Sequence, residues 1–288
     1  MSTTYTTLQN ALASGTLVVA PGAYDALSAR LVARAGFPAI YMTGFGATAA
    51  RIGQPDIGLL TQTEMATQAR DMVRAVKIPV IADADTGYGG PSNIERTVQE
   101  YLQAGVAAIH LEDQVAPKRC GQMAGIRLID AEENARRLRC AVAARGSQPL
   151  LLIGRTDALP ALGMDEAVSR AQRYQDAGVD LVFVDGVKTV AEVEGIARRV
   201  AGPKVISIVD GTDAARLAVP ELQAMGFQLA FFAVTALFTA AHAVAVALRE
   251  LHAKGTPQGL SQPVMSYAEF TEVVDLAHHQ RLDLAYGG

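Results

Sequence analysis

Gln103-Ala-Gly-Val-Ala-Ala-Ile-His-Leu-Glu112 joins a helix end, a glycine and an apolar strand within ten residues. A glycine at this place ends a helix in a left-handed turn without a Cβ clash. The unbroken apolar run after it suits a strand covered on both faces. The same plan recurs at Arg34–Thr43, Asp176–Asp185 and Ala224–Ala233, and further apolar runs lie at Thr16–Ala20, Pro79–Asp83, Leu150–Thr156 and Lys204–Val209. Helical spacing separates them at 23–34, 63–75, 91–104, 131–145, 165–177, 189–199, 219–225 and 235–253, with a short extra helix over Thr6–Ser14. Eight strand-then-helix units predict an α/β fold with a parallel sheet and right-handed crossovers. Eight strands close a (β/α)8 TIM barrel whose side chains fill the interior. An open doubly wound sheet is the alternative, but no dinucleotide glycine fingerprint follows the first strand.

Half of the 288 residues are hydrophobic, enough for one large core, and the net charge is −4 with both signs dispersed. No basic tract points to nucleic acid, and no apolar run is long enough to span a membrane. The start lacks the charged and apolar regions of a signal peptide. Cys120 and Cys140 form no disulfide framework, so a cytoplasmic, reducing compartment is expected. The barrel is expected over 1–254. A C-terminal helical extension over 255–288 follows, with Ser266-Tyr-Ala-Glu269 as a capping box opening a helix to about Gln280. That helix is expected to pack on a partner subunit.

A barrel of this type places its active site at the C-terminal strand ends. Those ends read Tyr41/Thr43/Gly44, Asp83/Asp85, Glu112/Asp113, Arg155/Thr156/Asp157, Asp185 and Ser207/Asp210. On an extended chain Asp83 and Asp85 share a face. Oxygen ligands favour Mg²⁺, or Mn²⁺, over Zn²⁺, and Glu112 on the next strand strengthens a metal reading over an Asp pair that caps a turn. Cys120 sits in Pro117-Lys-Arg-Cys-Gly-Gln122. Adjacent cations lower a thiol's pKa, so it is expected to move a proton near neutral pH from a loop that closes over substrate. The alternative is a loop cysteine beside a solvated basic pair. Arg155 can grip a carboxylate through two parallel hydrogen bonds, or pair with Asp157 or Asp185. Cys140 reads as packing, His110 as a barrel residue, and His242, His252, His278 and His279 as surface or interface groups.

The motifs Pro21-Gly-Ala-Tyr-Asp-Ala, Tyr41-Met-Thr-Gly, Asp56, Ala82-Asp-Ala-Asp-Thr-Gly-Tyr-Gly, His110-Leu-Glu-Asp-Gln, Pro117-Lys-Arg-Cys-Gly and Gly154-Arg-Thr-Asp-Ala resemble the isocitrate lyase/phosphoenolpyruvate mutase superfamily over nearly the whole chain. The resemblance implies a phosphoenolpyruvate mutase-like barrel whose eighth helix is swapped between paired subunits, in a homotetramer. It implies Mg²⁺ near Asp83, Asp85 and Glu112, partly through water, and a keto-acid unit surrounded by Thr43, Gly44, Asp56 and Arg155. The loop resembles the carbon–carbon lyase branch, methylisocitrate lyases included, in which the cysteine handles the proton. Four positions depart from the isocitrate and methylisocitrate lyases. Gln122 stands for their His, Asp185 for a Glu, Ser207 for an Asn, and an Arg falls near Phe238. These changes lie on the side of the second, succinate-like half, so isocitrate and methylisocitrate are not the expected substrates. Gly121, Gln122, Asp185 and Ser207 are expected to meet a smaller or less charged group.

The expected activity is a Mg²⁺-dependent lyase that splits a 2-hydroxy carboxylic or dicarboxylic acid into an α-keto acid and a second fragment. Cys120 is the proton donor and Tyr41 a candidate base. The alternatives are an oxaloacetate-type hydrolase or decarboxylase, a phosphonate-forming or carboxyphosphonoenolpyruvate mutase, and a barrel without turnover that serves as a scaffold.

Overall fold

The computed structural model of the protein describes residues 3–287; the outermost limits expected for the two regions, 1 and 288, lie outside the described residues. Eight parallel strands close a barrel in sequence order. They are β1 (Val18–Ala23), β2 (Ile40–Met42), β3 (Val80–Asp83), β4 (Ala108–Glu112), β5 (Leu151–Thr156), β6 (Leu181–Val184), β7 (Lys204–Ile208) and β8 (Leu229–Phe232). A short helix, α1 (Thr3–Ala13), precedes the barrel. The crossovers carry α2 (Ala26–Arg34), α3 (Gly44–Ile52), α4 (Gln62–Ala75), α5 (Pro91–Ala104), α6 (Ala131–Arg145), α7 (Ala158–Leu162), α8 (Met164–Asp176), α9 (Val190–Arg199) and α10 (Val219–Ala224). The chain closes with α11 (Thr235–Lys254), α12 (Tyr267–Val273) and α13 (Leu276–Tyr286).

Side chains alternate across each strand, and the two faces form two separate cores. Tyr41, Ile81, Ile153, Phe183, Val205, Leu229 and Phe231 fill the barrel interior. Ile40, Met42, Ala82, Ile109, Leu152, Val182 and Ile206 face the surrounding helices. The period of two then decides what the mouth carries. One inward step beyond the apolar layer come Thr43, Asp83, Glu112, Arg155, Asp185 and Ser207, all buried. Tyr41 stacks on Phe231 with ring centroids 4.1 Å apart, and His110 and Phe183 complete an aromatic floor below them.

Several expectations need correction. β1 starts two residues later than expected and runs on through Pro21-Gly22-Ala23. Gly22 permits this, since a Cβ there would lie 2.0 Å from the Ala233 carbonyl oxygen. The short helices α3 and α7 were not anticipated; both start directly after a strand end. The terminal extension holds two helices instead of one, because Asp275 takes a left-handed conformation with φ 57° and breaks the run between α12 and α13. Among the described residues no helix is long and apolar enough to cross a membrane.

Candidate active site

Asp83 is the last residue of β3 and the chain turns sharply after it. Asp85 adopts φ 46°, so the two-residue alternation expected to align the two acids stops at Asp83. The Asp85 amide donates to Asp83 Oδ1 at 2.9 Å and the Gly44 amide donates to Asp83 Oδ2 at 3.2 Å. Asp83 therefore caps the turn, as the alternative reading held, and also lies against the first turn of α3. A Cβ on Gly44 would come 2.4 Å from Asp83 Oδ2, so only glycine permits this approach.

Lys118 ties Asp85 to Asp56. Its Nζ lies 2.6 Å from Asp56 Oδ1 and 2.7 Å from Asp85 Oδ1. Burial works to lower its pKa, but Asp85, Asp83, Asp56 and Glu112 together hold it well above the ordinary lysine value. Burial also works to raise the Asp83 carboxyl, yet the surrounding positive groups hold it down at about 2. His110 is itself kept neutral, pushed down to about 4 by burial, so the lasting cations are Lys118 and Arg155.

Arg155 projects from β5 into the same mouth. Its Nε and Nη2 donate to Asp157 at 3.0 and 2.7 Å, Nη2 meets Asp185 Oδ2 at 2.7 Å, and Nε lies 3.3 Å from Glu112 Oε2. Both anticipated ion pairs exist together, and Nη1 makes none of these contacts. Asp113, the neighbour of Glu112, faces away from the mouth. It accepts from the Thr156 hydroxyl, the Asp157 amide, Arg170 and the Tyr174 hydroxyl, and so anchors the segment that carries Arg155.

Buried at the mouth are six carboxylates, Asp56, Asp83, Asp85, Glu112, Asp157 and Asp185, against two cations, Lys118 and Arg155. Buried ions without partners cost several kcal/mol each, so the excess calls for protons or a further cation. Both Glu112 oxygens are buried without a hydrogen bond. Burial raises the Glu112 pKa well above the usual carboxylate range. Among the described residues no group of three or more acidic, histidine or cysteine side chains is placed so as to hold a metal ion directly. Mg²⁺ keeps several waters and needs few direct ligands. The donor set, oxygen only with two orphaned acceptors on Glu112, fits such a hydrated ion.

Cys120 lies in the loop over this cluster. Its amide donates to the Asp56 carbonyl at 3.0 Å, and the Gln114 side chain braces the loop through both backbone groups of Arg119. Cys120, Gly121 and Gln122 line a cavity of about 100 Å³ together with Tyr41, Thr43, Asp56, Asp83, Arg155, Asp185 and Ser207. The residues expected to meet substrate line this cavity except Gly44, whose amide reaches Asp83, and of the expected metal residues Asp83 lines it while Asp85 and Glu112 do not. The expected low pKa of Cys120 is overturned. Burial pushes the thiol up to about 12, with Asp185 and Asp56 adding to the effect. Lys118 points to Asp56 and Asp85, and Arg119 reaches the Ala124 carbonyl, so neighbours in sequence are not neighbours of the sulfur.

Tyr41 does not suit a general base. Its hydroxyl lies 3.0 Å from His110 Nε2, and burial holds its pKa well above 10. With the phenol donating, His110 carries its proton on Nδ1, which faces Asp83 Oδ1 at 3.7 Å. Beside Phe238, to which the sequence pointed, Phe45, Val209 and Val234 complete an apolar wall of the cavity that the sequence did not mark, nor did it mark the bridging role of Lys118. The signal for Lys118 was its place two residues before the cysteine; Phe45 and Val209 carried no polar mark to draw attention. A larger cavity of about 600 Å³ opens on the other side of Asp85 and Lys118. It lacks Arg155 and the thiol, so the smaller one is the candidate for chemistry.

The phosphoenolpyruvate phosphomutase family model matches residues 8–252. The chain is 37% identical to 2,3-dimethylmalate lyase of Eubacterium barkeri over 97% of its own length and 96% of that enzyme. Among solved structures it is similar to oxaloacetate acetylhydrolase bound to 3,3-difluorooxalacetate, with a TM-score of 0.92 and 34% identity over 99% of this chain and 97% of that one. It is also similar to phosphonopyruvate hydrolase in complex with oxalate and Mg²⁺, with a TM-score of 0.90 and 30% identity over 99% of both chains.

Proposed function

Because the chain belongs to the phosphoenolpyruvate phosphomutase family, within the isocitrate lyase/phosphoenolpyruvate mutase superfamily of enzymes, we propose that it is a Mg²⁺-dependent lyase that cleaves a carbon–carbon bond of a small 2-hydroxy acid to release an α-keto acid. The observation that carries this reading is one cavity lined by Asp83, Arg155 and Cys120. It offers an acid wall for a cation, a guanidinium for a carboxylate and a thiol for a proton. At about 100 Å³ it is well below the roughly 300–1,000 Å³ of drug-sized pockets, which supports a compact substrate.

Asp83, Asp85 and Glu112 would hold Mg²⁺, in part through water, and the ion would supply positive charge against the oxygen on C2 of the substrate. Arg155 Nη1 takes the adjacent carboxylate. The hydroxyl proton passes to the acid wall, where Asp56 lines the cavity. The C2–C3 bond breaks, its electron pair moves onto C3 and the neighbouring carbonyl, and Cys120 Sγ delivers its proton to C3. A thiol with its pKa raised to about 12 rests protonated at neutral pH, which suits a donor better than the lowered value expected from sequence. Cleavage of 2-hydroxy acids should yield two fragments, followed by keto-acid detection with Mg²⁺ present. Cys120→Ser is expected to slow turnover roughly 10²-fold, the lower end for loss of a positioned proton donor. Unchanged turnover would remove the thiol from the reaction.

Gly44→Ala tests the metal reading. The new Cβ would displace the Asp83 carboxylate, a short side chain able to move, so folding should persist while Mg²⁺ or Mn²⁺ affinity falls about 10- to 100-fold in calorimetry. Unaltered affinity would take Asp83 out of the metal set. A second reading, hydrolysis of oxaloacetate to oxalate and acetate, is favoured by the likeness to oxaloacetate acetylhydrolase; product analysis separates it from the first.

The assembly we infer is a tetramer of helix-swapped pairs. Within one chain α11 buries none of its residues and exposes Phe238, Val244 and Leu248, while α12 and α13 expose Tyr267, Leu284 and Tyr286. Exposed apolar surface on this scale supports cover by a second copy. Two free cysteines support a reducing compartment such as the cytoplasm.

A further inference from the structure

We propose that the group beyond the scissile bond is an uncharged carbonyl, an amide or a ketone, and that Gln122 selects it by donating a hydrogen bond from Nε2. This rests on the lyase reading and narrows its substrate class to 2-hydroxy acids with a single carboxylate.

Three observations lead there. Gln122 Nε2 is buried and has no partner in the protein, while the residue lines the catalytic cavity. A buried donor without an acceptor is costly, and a substrate oxygen would satisfy it. An amide NH₂ donates to a carbonyl without adding charge, and a glutamine stays neutral at every pH.

The cations of the mouth are already engaged. Lys118 is held between Asp56 and Asp85. Arg155 meets Asp157, Asp185 and Glu112 and retains one terminal nitrogen for the first carboxylate of a substrate. Six buried acidic side chains share the mouth with these two cations. A second substrate carboxylate would enter that field with no cation of its own, and like charges brought together in a desolvated site repel strongly.

The remaining wall is apolar. Phe238 meets Phe45 edge-on at 6.0 Å, and Val209 and Val234 line the same side. Such a wall accepts an alkyl group or the flat face of a carbonyl and supplies no charge to offset a carboxylate. The chemistry balances as before. The C2–C3 bond breaks, the hydroxyl proton leaves, and the electron pair delocalises into the distal carbonyl. The Cys120 proton then goes to C3, giving a keto acid and a neutral amide or ketone. A neutral carbonyl accepts that electron pair more readily than a carboxylate, which already carries a charge.

The test uses matched 2-hydroxy acids that share their C1–C3 part and differ only at C4, as carboxylate, primary amide or methyl ketone. Keto-acid release is followed with Mg²⁺, and oxalate binding by calorimetry monitors the keto-acid side separately. The wild-type protein should favour the neutral substrates in kcat/KM by about tenfold or more, and Gln122→Leu should lose at least about tenfold on them, with oxalate affinity unchanged. Gln122→His should shift the ratio toward the diacid, a reversal that a purely structural glutamine would not produce. Preference of the wild-type protein for the diacid, or an identical ratio in Gln122→Leu, overturns the inference while leaving the lyase reading intact. Absence of keto acid from all three substrates, with oxalate unbound, overturns the lyase reading and this inference with it.

Discussion

Gly121→Ala is expected to lower kcat/KM by about 10³-fold or more while the barrel still folds. The argument is steric. A Cβ at this position would lie 2.4 Å from Asp185 Oδ2, 2.7 Å from Asp157 Oδ1 and 2.9 Å from Arg155 Nη2. Those atoms are not a flexible tip; Asp157 and Asp185 hold the guanidinium at 2.7 Å each. The loop must therefore lift, or the cluster around the Arg155 guanidinium must spread. Lifting carries Cys120 away from C3, and a misplacement of about 1 Å costs on the order of 10²-fold. Displacement of the Arg155 guanidinium, 2.9 Å from the added Cβ, adds a similar factor, which gives the larger total. Gly121 is not in a left-handed conformation, so alanine brings no backbone penalty there. Thermal unfolding should stay close to that of the wild-type protein, while Cys120 becomes easier to alkylate as the loop opens. Activity within roughly threefold of wild type, about 0.6 kcal/mol, would show that the loop does not close on Arg155.

Arg155→Met should destabilise the protein by about 3–5 kcal/mol, because removing one partner of a buried ion pair strands the charges it faced. At 2–4 °C per kcal/mol for large domains, the melting temperature should fall by roughly 6 °C or more. Arg155 faces three carboxylates, and its loss leaves Asp157, Asp185 and Glu112 with Lys118 as the nearest remaining cation of the mouth. The effect also carries a sign with pH. Burial already raises Glu112 and Asp185 above the usual carboxylate range, and Arg155 is the leading group holding them down. Without it their folded-state values rise further. The folded variant then binds protons that the unfolded chain does not, so its stability falls as pH climbs from the ordinary carboxylate range through the raised values. The deficit against wild type should be smaller at pH 5 than at pH 8. A gap that is equal at both would mean that the carboxylates lean on some other cation. Arg155→Lys would not restore the pattern, since a single ammonium cannot make the forked contacts to Asp157.

Local order was legible because it is written locally. The glycine after α5, Gly105, stands in the left-handed conformation its place in Gln103–Glu112 implied, and β4 follows within three residues. Seven of the long helices match the periodic stretches to within a few residues, since a helix buries a face spaced at 3.6 residues and the code for that face lies in the helix itself. The failures have the same logic reversed. The extension reads as one helix until Asp275 turns left-handed, and nothing in its own hydrophobic spacing marks that break. The short α3 and α7 escape because they owe their form to the strand ends they cap.

By itself the sequence determined which residues could meet: the count of eight strands, the alternation that sends Thr43, Asp83, Glu112, Arg155, Asp185 and Ser207 inward, and a thiol on the loop after β4. The tertiary structure alone decided how those groups behave. It set Asp85 aside from Asp83, moved Lys118 between two acids and away from the sulfur, and buried Cys120 so that its pKa rose instead of falling. The reason is electrostatic. A carboxylate, an ammonium or a thiol takes its charge from the dielectric and the partners within a few ångströms, and at the barrel mouth those partners arrive from strands tens of residues apart in the chain.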